Sequence, residues 1–369
     1  MSRSIWLTRA GVAVLAPLGL ALAAAPAQAA AGGIVRVTTN ASGAHVVYNA
    51  AAGKVNSVTI TRSGAKLVID DRVAIRAGAG CKAVKRDRTK VVCSSKRGWA
   101  GVSLALGAGD DTVVNRTNVK LAADGGIGND RLTGGTSADS LAGGPGVDYV
   151  NGAGGNDTLA GGPGNDRLYG GPGNDVVRAG DGADGVYGGS GNDTLVGEDG
   201  GDYVDGGAGN DRVTGDGHKY DTGFGFVDTL RGGSGFDTIV YDELAETVRI
   251  DLFGSARGTG SNGGDSVDGS FEGAWAGAWG SATFIGNNAG NVLISSNGAA
   301  VMDGRGGDDT LIAGDGDTKL SGGPGNDTLV VKRAGTAPQG GPNALDGGDG
   351  TDKCTPAFTD RDTLSGCER

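Results

Sequence analysis

The sequence of 369 residues is poor in the side chains that most often carry catalysis, with only two histidines, His45 and His218, and four cysteines. A zinc protease needs an HExxH helix, and neither histidine lies in that motif. A serine hydrolase would need one of them beside a GxSxG elbow, which is absent, as is a Walker-type GxxxxGK[ST] loop. We therefore predict that the chain is not an enzyme.

Long apolar runs are confined to the N-terminus, where residues 11–25 follow Arg3 and Arg9 and precede an AxA arrangement that ends at Ala29. This pattern predicts a secretory signal peptide over residues 1–29. A membrane anchor is the alternative, but the run is shorter than the roughly 20 residues that a bilayer needs. No other stretch is suited to span a membrane, so we expect a secreted, extracellular protein.

Basic charge is in deficit, since 32 Lys and Arg face 43 Asp and Glu, for a net charge of −11. Residues 121–214 hold fifteen acidic and four basic side chains, so their net charge equals that of the whole chain. A nucleic-acid partner is not expected, because phosphates are bound by basic surfaces.

Glycine, by contrast, is abundant, and much of it belongs to a repeat. Ten blocks of nine residues follow one another without a gap from 125 to 214, beginning GGIGNDRLT, GGTSADSLA and GGPGVDYVN. Position six is always Asp, and position eight is always Leu or Val. Paired glycines permit a tight turn, the carboxylate supplies an oxygen of the kind that calcium prefers, and the last three residues suit a short strand with position eight inward.

Such blocks cannot fold one at a time, because each buries too little apolar surface to offset the ordering of its backbone. The packed carboxylates also repel one another. We infer that bound cations are part of the fold. The alternative, a disordered linker rich in Gly and Asp, would not keep an aspartate and an aliphatic residue in phase.

The blocks resemble the GGxGxDxUx repeat of the RTX, or haemolysin-type, calcium-binding family. The resemblance implies an all-β fold, a right-handed parallel β-roll in which two nonapeptides make one turn and calcium lies between loops on the same edge. One edge would carry Asp130, Asp148, Asp166, Asp184 and Asp202, and the other Asp139, Asp157, Asp175, Asp193 and Asp211. We therefore predict a secreted calcium-binding protein that folds on binding calcium and has a structural or adhesive role. The alternative is a secreted enzyme or carbohydrate-binding protein that uses the repeats as a calcium-stabilised accessory module. Any cell-surface or matrix partner and the oligomeric state stay open.

Departures from the pattern weaken particular sites. Ser137 replaces a turn glycine, Ala179 opens one block, and GEDGGD opens the block at Gly197. We expect weaker sites at Asp139, Asp184 and Asp202.

The predicted roll spans residues 107–240, because Asp111 occupies the liganding position of a degenerate first block. After Thr214 the register breaks for 17 residues, which we interpret as a loop excursion, and a good block with Asp237 follows. A second array over 286–330 keeps its apolar eighth position, while position six reads Asn291, Ala300, Asp309, Thr318 and Asp327. We predict that Asn291, Asp309 and Asp327 share the one edge that still binds calcium.

The flanking segments are expected to complete the roll. Residues 30–106 alternate as half-buried strands and predict a small β domain that caps the N-terminal end; a separate binding module is the alternative. Residues 241–285 lack the repeat and predict an irregular spacer, or a carbohydrate-binding or partner surface formed by Trp275 and Trp279. Residues 331–369 predict a linker and a C-terminal cap.

The cysteines lie in two local pairs, Cys81 with Cys93 and Cys354 with Cys367. Four cysteines allow three pairings, of which the two local disulfides are the most plausible in an oxidising compartment. A zinc site is the alternative, but there is no CxxC and no nearby histidine.

Overall fold

A computed structural model describes residues 33–51, 53–215, 227–241, 248–252, 256–260, 263–277, 281–296, 299–314, 317–332, 341–357 and 361–368. These residues form 35 strands, numbered β1 to β35 from the N-terminus, and include no helix. Among them there is accordingly no helical segment that could cross a membrane. The predicted signal peptide, His218 and Trp279 lie outside the described residues.

Three sheets account for all 35 strands. The first sheet runs in the order β5 (Ile75–Ala77), β1 (Gly33–Asn40), β2 (Gly43–Asn49), β8 (Trp99–Ala108), β10 (Leu121–Ile127), β12 (Ser140–Ala142), β14 (Thr158–Ala160), β16 (Val176–Arg178), β18 (Thr194–Val196), β20 (Arg212–Thr214), β22 (Thr238–Tyr241), β26 (Gly273–Ala276), β28 (Val292–Ser295), β30 (Thr310–Gly314), β32 (Thr328–Lys332) and β34 (Lys353–Thr355).

The second sheet runs in the order β6 (Cys81–Val84), β7 (Asp87–Ser94), β4 (Lys66–Asp70), β3 (Ser57–Ser63), β9 (Thr112–Asn115), β11 (Arg131–Thr133), β13 (Tyr149–Asn151), β15 (Arg167–Pro172), β17 (Gly185–Ser190), β19 (Tyr203–Ala208), β21 (Thr229–Ser234), β25 (Gly263–Val267) and β24 (Ala256–Gly260). The third runs in the order β23 (Val248–Asp251), β27 (Ala282–Ile285), β29 (Ala300–Asp303), β31 (Lys319–Pro324), β33 (Ala344–Asp349) and β35 (Thr363–Ser365).

Consecutive repeat strands alternate between two facing sheets, so two blocks make one turn. Leu141 pairs in parallel with Leu159, 18 residues later, and Leu159 pairs with Val177. These position-eight side chains are at most 2% exposed and form one continuous core. The fold is an all-β parallel β-roll, which confirms the predicted class, and its turns place every position-six Asp on one of two edges.

The N-terminal strands continue the two sheets of the roll. β2 pairs with β8, which pairs with β10, and β3 pairs with β9. The outermost strands of the second sheet, β6 and β7, pair antiparallel, and a disulfide between Cys81 and Cys93 joins them, as predicted. The end of the roll is therefore covered by the first eight strands.

The stretch from 241 to 285 contains rungs of the same roll, which corrects the prediction of an irregular spacer for its described residues. β26 pairs with both β22 and β28, and Phe271 and Phe284 are fully buried in the core. A rung needs an inward apolar side chain and a backbone register, and neither requirement demands a glycine-rich turn. Trp275 faces outward, and its Nε1 donates to Ser296 Oγ at 2.8 Å.

The interval after Thr214 also holds a rung. Asp228 is buried and precedes β21, in which Leu230 pairs with Val204. The predicted loop excursion is therefore shorter than 17 residues, and residues 216–226 within it are not described. At the C-terminus Cys354 and Cys367 form the second predicted disulfide.

Candidate metal centres on the roll edges

The position-six aspartates form hydrogen-bonded ladders along the edges. The backbone N–H of Asp148 donates to Oδ1 of Asp166 at 2.8 Å, and that of Asp175 donates to Oδ1 of Asp193 at 2.7 Å. The same bond recurs at each turn, so every carboxylate is fixed by the backbone of the turn before it. The predicted edge sets are thereby brought together as predicted.

The first ladder comprises Asp111, Asp130, Asp148, Asp166, Asp184, Asp202, Asp228 and Asp265. The second comprises Asp139, Asp157, Asp175, Asp193, Asp211 and Asp237. A third, in the second array, comprises Asn291, Asp309, Asp327 and Asp352.

The second carboxylate oxygen, Oδ2, is buried in most ladder members and has no hydrogen-bond donor. This holds for Asp111, Asp130, Asp148, Asp157, Asp166, Asp175, Asp184, Asp193, Asp202, Asp211, Asp228, Asp237, Asp309, Asp327 and Asp352. A buried oxygen anion without a partner is costly, because burial removes its hydration and nothing replaces it. Repetition of the same unpartnered atom on successive turns points to a missing positive charge.

At several turns Oδ2 faces a carbonyl oxygen of the next turn across a glycine. A Cβ added to Gly161 would overlap both Asp166 Oδ2 and the carbonyl oxygen of Ala179, and one added to Gly170 would overlap Asp175 Oδ2 and the carbonyl of Gly188. The carboxylate oxygen and the carbonyl oxygen therefore line the same small space. That space stays open because the glycine at position one has no side chain. A bound cation would satisfy both oxygens at once.

Electrostatics agree with this geometry. Burial raises the pKa of Asp166 to about 7, and the neighbouring carboxylates Asp148 and Asp184 raise it further against the lowering effect of the Asp148 N–H. Burial likewise raises the pKa of Asp130 and Asp193 to about 7 and that of Asp148 and Asp175 to about 6. In the metal-free fold these groups hold protons more tightly than free aspartate does.

The donor sets are oxygen only. No cluster of three or more His, Cys, Asp or Glu side chains occurs in the part of the chain that the structure describes. Each site instead combines a carboxylate with backbone carbonyls. Calcium favours such hard oxygen ligands, whereas zinc favours imidazole and thiolate, so the residues present fit calcium.

Comparison with protein families reaches the same assignment. The RTX calcium-binding nonapeptide repeat matches residues 124–159, 151–186, 160–195, 187–217, 222–240, 285–319 and 294–329. The chain therefore contains RTX calcium-binding nonapeptide repeats. No curated protein matches it. The RTX matches cover the main array, the block at Asp237 and the second array, and they leave out the N-terminal strands and residues 241–284.

One RTX block closes its own site. Gly135 lacks the positive φ of the other turn glycines, and its N–H donates to Asp139 Oδ2 at 2.5 Å. Asp139 Oδ1 accepts from Leu121 N–H at 2.7 Å. Both oxygens of Asp139 are thus used by the protein, as the irregular block containing Ser137 led us to expect.

The other two irregular blocks differ from each other. Ala179 carries the methyl group that the other nine blocks of residues 125–214 exclude from position one, although Asp184 Oδ2 still has no donor. In the GEDGGD block, Glu198 adopts a φ of 73° in place of the turn glycine, and its carboxylate binds Arg178 at 3.0 Å. Asp202 Oδ2 remains without a donor, so its cradle survives the substitution.

The second RTX array has one acidic edge, as predicted. On it Asn291 N–H donates to Asp309 Oδ1 at 2.6 Å, and Asp327 N–H donates to Asp352 Oδ1 at 2.8 Å. On the opposite edge, Thr318 Oγ1 accepts from Ala300 N–H and donates to the Gly314 carbonyl at 2.9 Å. A hydroxyl that both accepts and donates satisfies its own surroundings and needs no cation.

Asn291 lies on the acidic edge, as predicted, but its side-chain amide is hydrogen-bonded within the protein. Its Oδ1 accepts from Asn287 N–H at 2.7 Å, and its Nδ2 donates to the Glu272 carbonyl at 3.2 Å. The amide therefore closes this end of the RTX edge with hydrogen bonds.

Three features of the site were not predicted from the sequence. Asp228 joins the first ladder from outside the regular register, and Asp265 ends that ladder by accepting from the Tyr241 hydroxyl. The asparagines at position five form a separate ladder beside the aspartates. In it Asn192 N–H donates to Asn174 Oδ1 at 2.9 Å, and Asn210 N–H donates to Asn192 Oδ1. The recurrence of Asn at position five of the RTX blocks was the available signal.

Proposed function

We propose that this RTX-repeat protein is a secreted calcium-ion-binding protein whose roll folds when calcium binds, and that it serves an extracellular structural or adhesive role without catalysis. The observation that carries the proposal is the row of buried Oδ2 atoms that lack donors and face carbonyl oxygens. Calcium binding is the property of the repeats; folding on binding, secretion and the role are the proposal.

Coupling to folding follows from where the charge lies. Asp157, Asp166 and Asp175 are each about 1% exposed, and neighbouring members of one ladder sit one turn apart. Ionised carboxylates in this arrangement destabilise the roll by desolvation and mutual repulsion. A bound divalent ion reverses both effects, so its binding free energy becomes folding free energy.

Secretion is supported by the predicted signal peptide and by both disulfides. Disulfides persist in oxidising compartments and are rare in the cytosol. Calcium is abundant outside cells, where sites of modest affinity fill readily.

A noncatalytic role is supported by how the carboxylates are arranged. Glycosidases place two carboxyl groups across one cleft with different environments. Here successive carboxylates along an edge have the same surroundings, and the Oδ1 of each accepts from the backbone N–H of the preceding aspartate in its ladder. Such repetition suits cumulative ion binding and a rigid scaffold.

The test is circular dichroism of the mature chain, prepared in chelator and titrated with calcium, with magnesium as a matched control, followed by an ion count. We expect a cooperative gain of β signal with calcium alone and several ions bound per chain. Magnesium holds its waters and demands octahedral geometry, so it should not replace calcium. A chain that is fully folded in chelator and indifferent to calcium would refute the proposal.

A further inference from the structure

The N-terminal cap, residues 33–106, carries charge opposite to that of the roll. It contains thirteen Lys and Arg and only three Asp, a net charge of +10, whereas residues 107–369 contain seventeen Lys and Arg and forty Asp and Glu, a net charge of −23. The net charge outside residues 121–214 is zero, but only because the positive charge of the cap cancels negative charge elsewhere in the chain. This division is too large to follow from random placement of surface residues.

The three carboxylates of the cap are already engaged. Asp70 and Asp87 both bind Lys90, at 2.8 and 3.5 Å. Asp71 is buried and accepts from the Tyr48 hydroxyl at 2.6 Å. Within the described residues, the other twelve cations of the cap form no salt bridge with a carboxylate of the cap, and all twelve side chains are exposed.

Part of this charge is held on a rigid support. Lys82, Lys85, Arg86 and Arg88 lie on the β6–β7 hairpin and its turn, and the Cys81–Cys93 disulfide cross-links its strands. Cations on a preorganised hairpin bind an anionic partner with little loss of backbone entropy. The hairpin also forms the free edge of the second sheet, away from the acidic ladders.

A second cationic feature lies where the cap meets the roll. A cleft of about 540 Å³ is lined by Arg62, Arg116 and Asn118, and by no carboxylate. Arg62 Nη1 donates to Asn118 Oδ1 at 3.1 Å, which orients its guanidinium. The cleft adjoins Gly135, at the closed Asp139 site, so Arg62 and Arg116 lie beside a block whose carboxylate is already satisfied by backbone N–H groups.

We propose that the cap is the attachment surface of this protein and binds an extracellular anionic polysaccharide. The choice of an extracellular polymer rests on the proposed function, whereas the cationic surface does not. The cap has only two aromatic residues, of which Tyr48 is buried and Trp99 donates its Nε1 to the Ala65 carbonyl. Single-stranded nucleic acids are commonly bound by stacking their bases on exposed rings, so the cap fits a polymer recognised through charge along its chain. Among such polymers, the extracellular setting of the proposed function favours a polysaccharide over a nucleic-acid duplex. The acidic roll is repelled by the same polymer and points away from it.

The test measures retention of the mature, disulfide-bonded protein on dextran sulfate, in calcium-containing buffer over a range of sodium chloride, with neutral dextran beside it. We compare the wild type with a hairpin variant, Lys82→Gln, Lys85→Gln and Arg88→Gln, and with a matched variant at the far end, Lys319→Gln, Lys332→Gln and Lys353→Gln. All six side chains are exposed, so neither set disturbs the core. Circular dichroism checks that both variants fold.

We expect salt-sensitive binding to dextran sulfate alone, about tenfold weaker in the hairpin variant and unchanged within about twofold in the far-end variant. No binding by the wild type, or equal losses in the two variants, would overturn the proposal. Tighter binding to duplex DNA than to dextran sulfate would overturn the polymer class. A concentration-dependent dimer in sedimentation, lost in the hairpin variant, would overturn it in favour of a second copy of the chain. A parallel calcium titration separates these results from failure of the calcium proposal.

Discussion

The backbone N–H of Asp202 donates to Oδ1 of Asp228 at 2.8 Å, across 26 residues of chain. Every ladder bond before it on this edge, from Asp130 onward, spans 18 residues. The turn between Asp202 and Asp228 therefore absorbs extra residues without losing the bond that fixes the carboxylate. A residue belongs to the ladder because it makes this bond. The nine-residue repeat is the usual way of placing its carboxylate where the bond can form, but it is not the only way.

Replacement of Asp228 by Asn should therefore remove one calcium site although Asp228 lies outside the regular register. Asp228 is fully buried, and its Oδ2 lacks a donor. We expect the number of bound calcium ions to fall by about one and the calcium-induced stability to drop, because an amide brings no charge to the ion. Ion counting by mass spectrometry and calcium-dependent melting measure both.

The matched control is Asp181→Asn. Asp181 belongs to a repeat turn, but its side chain is exposed. Its ion count should equal that of the wild type. Equal counts for all three proteins would show that Asp228 is a structural residue only.

Asp139 and Asp157 are consecutive members of one ladder and should respond differently to the same change. Asp157 Oδ2 has no donor, whereas Asp139 Oδ2 accepts from Gly135 N–H. We expect Asp157→Asn to lower the calcium count by about one. Asp139→Asn should leave the count unchanged and lower the free energy of unfolding by about 1–3 kcal/mol, because one of two buried N–H donors loses its acceptor.

Ion counts and chemical denaturation in saturating calcium distinguish these outcomes. A lower count in Asp139→Asn would mean that calcium displaces the Gly135 hydrogen bond. Asp139 would then be a calcium ligand like the other aspartates of its ladder.

The sequence was sufficient to predict the roll and its edges, because parallel pairing converts a nine-residue period into an 18-residue edge repeat. It was insufficient where that period is lost. Phe271 and Phe284 belong to rungs because their side chains pack into the core. This packing requires no glycine or aspartate at fixed positions, so the segment shows no repeat from which the rungs could be predicted. The irregular block with Ser137 indicated a weaker site at Asp139, but the repeat could not reveal how that site closes, which depends on the φ of Gly135 and on its N–H bond to Asp139 Oδ2.

The second array gives a test of edge asymmetry. Asp309 is about 1% exposed with Oδ2 unpartnered, whereas Thr318 on the opposite edge both accepts and donates. Asp309→Asn should lower the calcium count by about one. Thr318→Val should leave the count unchanged and destabilise the fold by about 1–2 kcal/mol through its lost hydrogen bonds. An unchanged ion count in Asp309→Asn would refute the assignment of this edge.

Glycines at different positions of the turn should differ sharply in tolerance. Gly164 has a φ of 144°, and an added Cβ would overlap the carbonyl oxygen of Gly146. Gly154 has an ordinary φ, and the nearest atom to an added Cβ is the Pro172 carbonyl oxygen at 3.9 Å. We expect Gly164→Ala to lower the free energy of unfolding by at least about 2 kcal/mol, and Gly154→Ala to change it by less than about 1 kcal/mol.

Thermal unfolding in saturating calcium measures both alanine variants. Similar losses at the two glycines would show that the stacked loops are less tightly apposed than the structure indicates. Loss of calcium binding in Gly164→Ala alone would locate the effect in the turn.

The metal-free protein should become less stable as pH rises, the reverse of the usual behaviour of carboxylates in ion pairs. Burial raises the pKa of Asp130, Asp166 and Asp193 from 3.8 to about 7. A folded-state pKa above the unfolded value means that the protonated form is stabilised in the fold. This contribution is complete below about pH 4 and is lost as pH rises through about 6 to 7. In chelator, the folded fraction measured by circular dichroism should therefore be larger at about pH 5 than at about pH 8.

Calcium reverses the sign, because it stabilises the ionised carboxylates and competes with protons for them. In saturating calcium, stability should fall when pH drops below about 6, and calcium binding near neutral pH should release protons. Titration in weak buffer with a pH indicator measures that release, and Asp166→Asn should reduce both the release and the pH slope in chelator. If stability in chelator instead rises between about pH 5 and pH 8, the ladder carboxylates are solvated or paired in solution, and the cradle that faces each position-one glycine is not a cation site.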